Sequence, residues 1–200
     1  MLTPLSSSPS ADYDLTGQVI WPASYMLVHY LMHVRQSLAN EDILEVGSGT
    51  GITGLVAASC SKSVVVTDYN DIVLELLGHN ARENAIPGSK CVCQKLDWTV
   101  ESSRRSFPEH SYRVIIGSDV VYWYNMIIPL LETVDFLLSL EPGSHFVLAF
   151  KHRAANTEAH LFQEATNRFK FTIEDVPAES FVPESERESM AGVYLKIFRR

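Results

Sequence analysis

Two hundred residues, 46% of them hydrophobic, suffice for one domain with a substantial core. The net charge is −8, and Lys and Arg cluster only as the pairs Arg104-Arg105 and Arg199-Arg200, which argues against a nucleic-acid partner. No apolar run is long enough to span a bilayer, so no membrane partner is expected.

The first residues are rich in Ser and Pro and lack the basic and apolar regions of a signal peptide. Residues 1–14 read as a flexible N-terminal tail and 15–200 as a single domain. Pro22 suits the first turn of a helix, and behind it Met26, Leu27, Tyr30, Leu31 and Val34 recur at helical spacing. Trp21 opens that helix, either as a core anchor or as part of a site.

Next comes Asp42-Ile43-Leu44-Glu45-Val46-Gly47-Ser48-Gly49-Thr50-Gly51-Ile52-Thr53-Gly54. Ile43–Val46 reads as a short buried strand, the glycines as a tight turn that a ligand can approach closely, and Gly51–Cys60 as a helix. A helix start favours acidic ligand groups. Gly49-x-Gly51-x-x-Gly54 formally matches a dinucleotide fingerprint. That register puts Glu45 and Gly47 where the strand should carry apolar side chains. Taking Gly47 as the first glycine leaves Glu45 at the strand end and gives Glu45-x-Gly47-x-Gly49-x-Gly51.

Ser63–Thr67 is a β-branched buried strand ending in Asp68, about twenty residues past the turn, where Rossmann-type sites hold ribose hydroxyls. Asp71 is the expected cap of a helix reaching Asn84. Lys90–Leu96 is a third strand, followed by Asp97-Trp98, which reads either as an adenine clamp or as a loop plug. Residues 101–111 read as a polar surface loop. Tyr112–Gly117 is a central strand that runs into Ser118-Asp119-Val120-Val121-Tyr122. Ligands of open α/β sheets bind at carboxyl strand ends near the reversal of strand order, so Asp119 and Tyr122 stand where chemistry is expected, though a structural Asp also fits. A helix over 126–139, a strand over 145–150, a helix over 156–167 and two strands over 169–174 and 193–198 complete the α/β pattern, with a polar loop near 184–189. Cys60, Cys91 and Cys93 make no zinc set and read as reduced core cysteines, which together with the missing signals predicts a cytoplasmic protein, the nucleus being open.

These pieces resemble the seven-β-strand protein-lysine methyltransferases, a class I, Rossmann-like family dependent on S-adenosylmethionine (AdoMet). The resemblance runs over about Gly17–Arg200. It rests on Gly17-x-x-x-Trp21-Pro22-Ala23, Leu44-Glu45-x-Gly47-x-Gly49-Thr50-Gly51, Thr67-Asp68, Leu96-Asp97-Trp98, Gly117-Ser118-Asp119-x-x-Tyr122 and Phe150-Lys151-x-Arg153. It implies a seven-stranded sheet of order 3-2-1-4-5-7-6 with the last strand antiparallel and helices on both faces. It implies AdoMet as cofactor and S-adenosylhomocysteine as product, no metal, and a protein substrate presenting a lysine, such as a chaperone or translation factor. A monomer is expected.

The resemblance further implies that Trp21 borders the methionine part of the cofactor. The turn Gly47, Ser48, Gly49, Thr50 and Gly51 would hold its carboxypropyl portion through backbone groups, and Glu45 beside it is a further cofactor-binding candidate. Asp68, with Tyr69 beside it, would bind the ribose; Asp97 and Trp98 would flank the adenine, and Ser118 would line the pocket. Asp119 and Tyr122 would be the catalytic Asp-x-x-Tyr element at the substrate amine. The segment before Gly17 is shorter than those that many relatives use to dock substrates. The alternatives are a histidine or small-molecule methyltransferase, an NAD-dependent oxidoreductase, which the glycine register disfavours, and an inactive adaptor of the same fold.

Overall fold

In the computed structural model, which describes residues 13–200, a 3-10 turn (Tyr13–Gln18) leads into α1 (Pro22–His33) and the short α2 (Arg35–Leu38). Then follow β1 (Asp42–Val46), α3 (Ile52–Ala58), β2 (Ser63–Asp68), α4 (Asp71–Glu83), β3 (Cys91–Lys95), α5 (Glu101–Arg104), β4 (Val114–Ser118) and α6 (Ile127–Leu137). The chain closes with β5 (His145–Lys151), α7 (Ala155–Asn167), β6 (Thr172–Asp175), α8 (Glu184–Arg187) and β7 (Val193–Arg199).

The strands form one sheet in the order β3-β2-β1-β4-β5-β7-β6, as the resemblance implies. The first five pair in parallel, and β7 runs antiparallel to both β5 and β6. The order reverses between β1 and β4, whose pairing sets Leu44 opposite Ile115 and Val46 opposite Gly117.

Alternate side chains of a strand face opposite sides, so each central strand feeds two cores. Ile43, Val64, Ile116 and Val147 pack with Met26, Leu27 and Leu31 of α1 and Ala57 of α3. Leu44, Ile115, Phe146 and Leu148 pack with Leu130, Leu131 and Val134 of α6 and Leu161 of α7. Phe146, Phe150, Phe171 and Phe198 are fully buried on this second side. Each is worth roughly 1.5–3 kcal/mol of transfer free energy. The two cores hold the strand ends rigid, and the site is built on those ends.

The structure differs from the sequence expectation in several places. The cap of α4 is Asn70 and not Asp71: the Asn70 Oδ1 accepts from the backbone N–H of Ile72 at 2.9 Å and of Val73 at 3.4 Å. Both residue types cap well, and the extended backbone at Asn70 decides the register. Residues 101–111 contain α5 and bury Phe107, so the polar stretch is pinned by one aromatic anchor. Residues 184–190 form α8 and a 3-10 turn (Glu188–Met190), anchored by buried Met190. Of the tail expected over 1–14, residues 1–12 lie outside the described residues, while Tyr13 and Asp14 already belong to the first 3-10 turn. Cys60, Cys91 and Cys93 are free and partly buried. No helix among the described residues is long and apolar enough to cross a membrane.

Candidate active site

The turn after β1 carries Gly47, Gly49 and Gly51 at φ of +63°, +54° and +86°. Residues with a side chain rarely occupy that region, so the glycines are required by backbone shape. Ser48 and Thr50 are buried and pin the turn from below. The Ser48 N–H donates to the Thr67 carbonyl at 2.8 Å, and the Ser48 hydroxyl accepts from the Thr67 N–H at 3.0 Å. Asn80, fully buried on α4, donates to the Thr50 carbonyl at 2.9 Å. The turn is therefore tied to both β2 and α4.

Glu45 does not reach the cleft. It lies two residues from Ile43, on the face covered by α3, and is 0% exposed. The Thr53 hydroxyl donates to its Oε1, and its Oε2 has no hydrogen-bond partner. Burial pushes its carboxyl up to about 8, opposed more weakly by the neighbouring Ser48 hydroxyl and Gly54 backbone. The carboxyl is thus mostly protonated at neutral pH, and any effect on a ligand passes through the turn above it. Strand parity overrides proximity in sequence here.

Asp68 stands at the tip of β2. Its Oδ2 accepts from the Gly49 N–H at 3.1 Å and its Oδ1 from the Asn70 N–H at 3.1 Å. Burial pushes its carboxyl up, and the backbone bonds from Asn70, Gly49 and Tyr69 counter that push. Tyr69 beside it is half-exposed. The Trp98 ring lies on the other flank, 3.4 Å from where a Cβ on Gly47 would stand. Asp97 is turned to local work: its Oδ1 accepts from the N–H of Thr99 at 2.9 Å and from its hydroxyl at 2.7 Å.

Across the strand-order reversal lie the ends of β4 and β5. Ser118 shares a hydrogen bond with Ser24 of α1 at 3.1 Å between hydroxyl oxygens. Asp119 adopts φ +58°, a left-handed conformation that costs an L residue roughly 1–2 kcal/mol and that Asp tolerates better than most. Its side chain is 2% exposed. Arg153 donates to it twice, from Nη1 to Oδ1 and from Nη2 to Oδ2 at 2.7 Å, and the Lys151 N–H donates to Oδ1 at 3.3 Å. Bonding to Asp119 raises the Arg153 guanidinium above its ordinary value. The sequence expectation of Asp119 as a carboxylate facing the substrate amine is therefore corrected. Both oxygens are spent on an ion pair, and the side chain is shut from the cleft.

Tyr122 is 45% exposed and bonded to Thr16. Burial of its hydroxyl end pushes the phenol up, and the neighbouring Tyr69, Asp68 and Asp119 push the same way. Trp21 lies under the Arg153 guanidinium, 5.4 Å from ring centroid to Cζ, and its indole N–H donates to the Thr16 carbonyl at 3.1 Å.

The structure thus gathers Trp21, the turn 47–51, Asp68, Tyr69, Trp98, Ser118 and Tyr122 around one cleft at the carboxyl edge of the sheet, with Asp119 shut behind its pair with Arg153. Glu45 lies beneath it, and the Asp97 carboxylate serves its own loop. Sequence reasoning assigned no role to Arg153, Thr16 or Asn80. Arg153 stands in the Phe150-Lys151-x-Arg153 element, but nothing local in that element points to Asp119 as its partner. Among the described residues no three His, Cys, Asp or Glu side chains gather as a metal set requires.

A family model described as lysine methyltransferase matches residues 10–168. The protein N-lysine methyltransferase METTL21A of Danio rerio is 32% identical over 173 residues, 86% of this chain and 77% of that protein. The histone-arginine methyltransferase METTL23 of Xenopus laevis is 29% identical over 180 residues, 88% of this chain and 73% of that one. The tRNA (m1A58) methyltransferase TrmI from Aquifex aeolicus superposes with a TM-score of 0.61 at 18% identity, covering 90% of this chain and 69% of that one, a likeness of fold. With a sheet of matching order and a family model spanning most of its length, the chain belongs to the lysine methyltransferase family.

Proposed function

We propose that this enzyme binds AdoMet along the 47–51 turn and Asp68 and methylates a lysine side chain of a protein substrate. The observation that carries this is the Gly49–Asp68 contact at the ends of β1 and β2, across the strand-order reversal from the Ser118–Tyr122 loop. The residues present fit the cofactor. The two Asp68 oxygens accept from the backbone N–H groups of Gly49, Asn70 and Tyr69, which leaves acceptor capacity for a ribose hydroxyl, and a hydroxyl donor there would offset the burial of the carboxylate. Trp98 offers an aromatic wall for adenine beside Gly47.

AdoMet, when bound, supplies a methyl group already activated by its sulfonium. What falls to the protein is alignment and exclusion of water. Trp21 and Ser118 line the approach to the methyl, and Tyr122 with Trp123, whose rings pack at 5.8 Å, borders the acceptor mouth. A lysine amine must be neutral to attack, and its ordinary pKa is about 10.4. Burial beside a cationic sulfonium lowers it. Asp119, neutralised by Arg153, acts on the acceptor only through the backbone it fixes.

A second reading, an arginine acceptor, is favoured by the likeness to METTL23. One experiment separates the two. The purified enzyme is incubated with methyl-labelled AdoMet and a protein extract, and the labelled protein is hydrolysed to amino acids. Label in methyl-lysine supports the proposal, and label in methyl-arginine or methyl-histidine replaces it. Asp68→Ala is expected to weaken AdoMet binding more than tenfold in calorimetry, since a hydrogen bond to a charged group is worth about 1.5–3 kcal/mol. Unchanged affinity would put the ribose elsewhere.

A further inference from the structure

The segment from the first 3-10 turn to Trp21 lies across the glycine-rich turn. A Cβ on Gly49 would stand 2.9 Å from the Gly17 carbonyl oxygen, and one on Gly17 would stand 2.8 Å from Val73 of α4. The two backbones therefore touch. Gln18, in the same segment, is buried. Asp68, bonded to Gly49, keeps only 8% of its surface exposed. A ligand that uses the Gly49 backbone and Asp68 reaches them past this segment.

Two side chains hold the segment down, and both come from the opposite side of the cleft. Tyr122, from the loop after β4, hydrogen-bonds Thr16. Arg153, after β5, covers Trp21, whose indole in turn donates to the Thr16 carbonyl. Arg153 is itself fixed. Asp119 clamps its guanidinium, and Glu158 of α7 accepts from its backbone N–H at 3.3 Å and pairs with His152 at 2.8 Å. The loop bearing Tyr122 is braced to the same helix by Tyr124, whose ring stacks on His160 at 4.3 Å.

We propose that residues 16–21 are a strap over the cofactor cleft, and that Tyr122 and Arg153 are positioning residues that latch it shut and so govern cofactor entry and product release. This rests on the AdoMet reading above. The latch also gives Asp119 a role: it aims Arg153 at Trp21 and touches neither cofactor nor acceptor. Tyr122 also borders the acceptor mouth proposed above, so a substrate protein arriving there meets one fastening of the strap.

The test uses the full chain and two variants, Tyr122→Phe, which removes one hydroxyl, and Arg153→Ala. Hydrogen exchange is followed in the ligand-free proteins, and stopped-flow measures release of AdoMet and S-adenosylhomocysteine. The expected result is faster exchange at residues 13–21 in both variants, well beyond any change at β1 and β4, and release accelerated at least tenfold. Arg153→Lys, which keeps a charge but loses the two-pronged geometry, should recover only part of the difference. Wild-type release rates with unchanged exchange at 13–21 would overturn the latch. So would exchange at 13–21 accelerated no more than at β1 and β4, the mark of a merely structural ion pair. If the wild type binds no AdoMet, the functional reading fails, while exchange in the ligand-free chain still judges the latch.

Discussion

The two halves of the cleft solve the same problem by different means. On the β1–β2 side the backbone does the work: three glycines at positive φ, one carboxylate on a main-chain N–H, and a small buried hydroxyl accepting from another main-chain N–H. On the β4–β5 side the geometry rests on long side chains, Arg153 on Asp119 and Trp21, and Tyr122 on Thr16. Backbone-built geometry is fixed by residue type and spacing over a few positions. Side-chain geometry depends on partners brought from 34 residues away in the Asp119–Arg153 pair and needs the whole fold to be in place.

The largest effect is expected where the backbone half is broken. Gly49→Val should abolish AdoMet binding in calorimetry, because its Cβ would strike the Gly17 carbonyl at 2.9 Å and a β-branched residue resists φ +54°. Near-normal affinity in a folded variant would mean that the turn is not where the ligand rests. The next effect falls on the side-chain half. Asp119→Ala leaves Arg153 without its main partner and should destabilise the fold by about 3 kcal/mol. In thermal melts, the double variant Asp119→Ala/Arg153→Ala should lose less than the sum of the two single variants. Additive losses would show that the pair is not coupled.

The difference between the halves also explains what could be read in advance. The strands, the glycine turn and Asp68 were legible because apolar periodicity and an acid at a strand tip are local signals. Strand order came from the family likeness, which no spacing within the chain encodes. Asp119 and Tyr122 were legible as residues of the right strand end, but their partners were not. That Arg153 takes both Asp119 oxygens follows from a left-handed backbone at Asp119 and from the neighbouring register of β4 and β5, and neither is written in residue type. Glu45 misled for the opposite reason: it is next to the turn in sequence, yet strand parity directs it under α3.

Glu45 gives a sharp test of the backbone half. Its folded-state pKa, about 8, lies above the unfolded value of 4.5. Below pH 4.5 both states hold the proton and nothing changes. Between about 4.5 and 8 only the unfolded chain loses it, so stability falls as pH rises, by up to about 1.4 kcal/mol per pH unit, and levels off above. Glu45→Gln removes the titrating proton. Denaturant melts at several pH values should show the difference in stability between variant and wild type growing in the variant's favour from pH 5 to 8. A constant difference would mean that the carboxyl is ionised in place.

The central β1–β4 pairing joins Ile43 to Val114, seventy-one positions along the chain. Every turn needed to cradle a ligand before that point is local, yet the cleft has no far wall until this long loop closes. Loop closure of that span is slow relative to local helix formation. A ligand spanning the cleft has no complete docking surface in the collapsed, unpaired chain, so it cannot template folding. To the extent that the β1–β4 pairing forms only after the folding transition state, ligand stabilisation is expected as a slower unfolding rate with the folding rate unchanged.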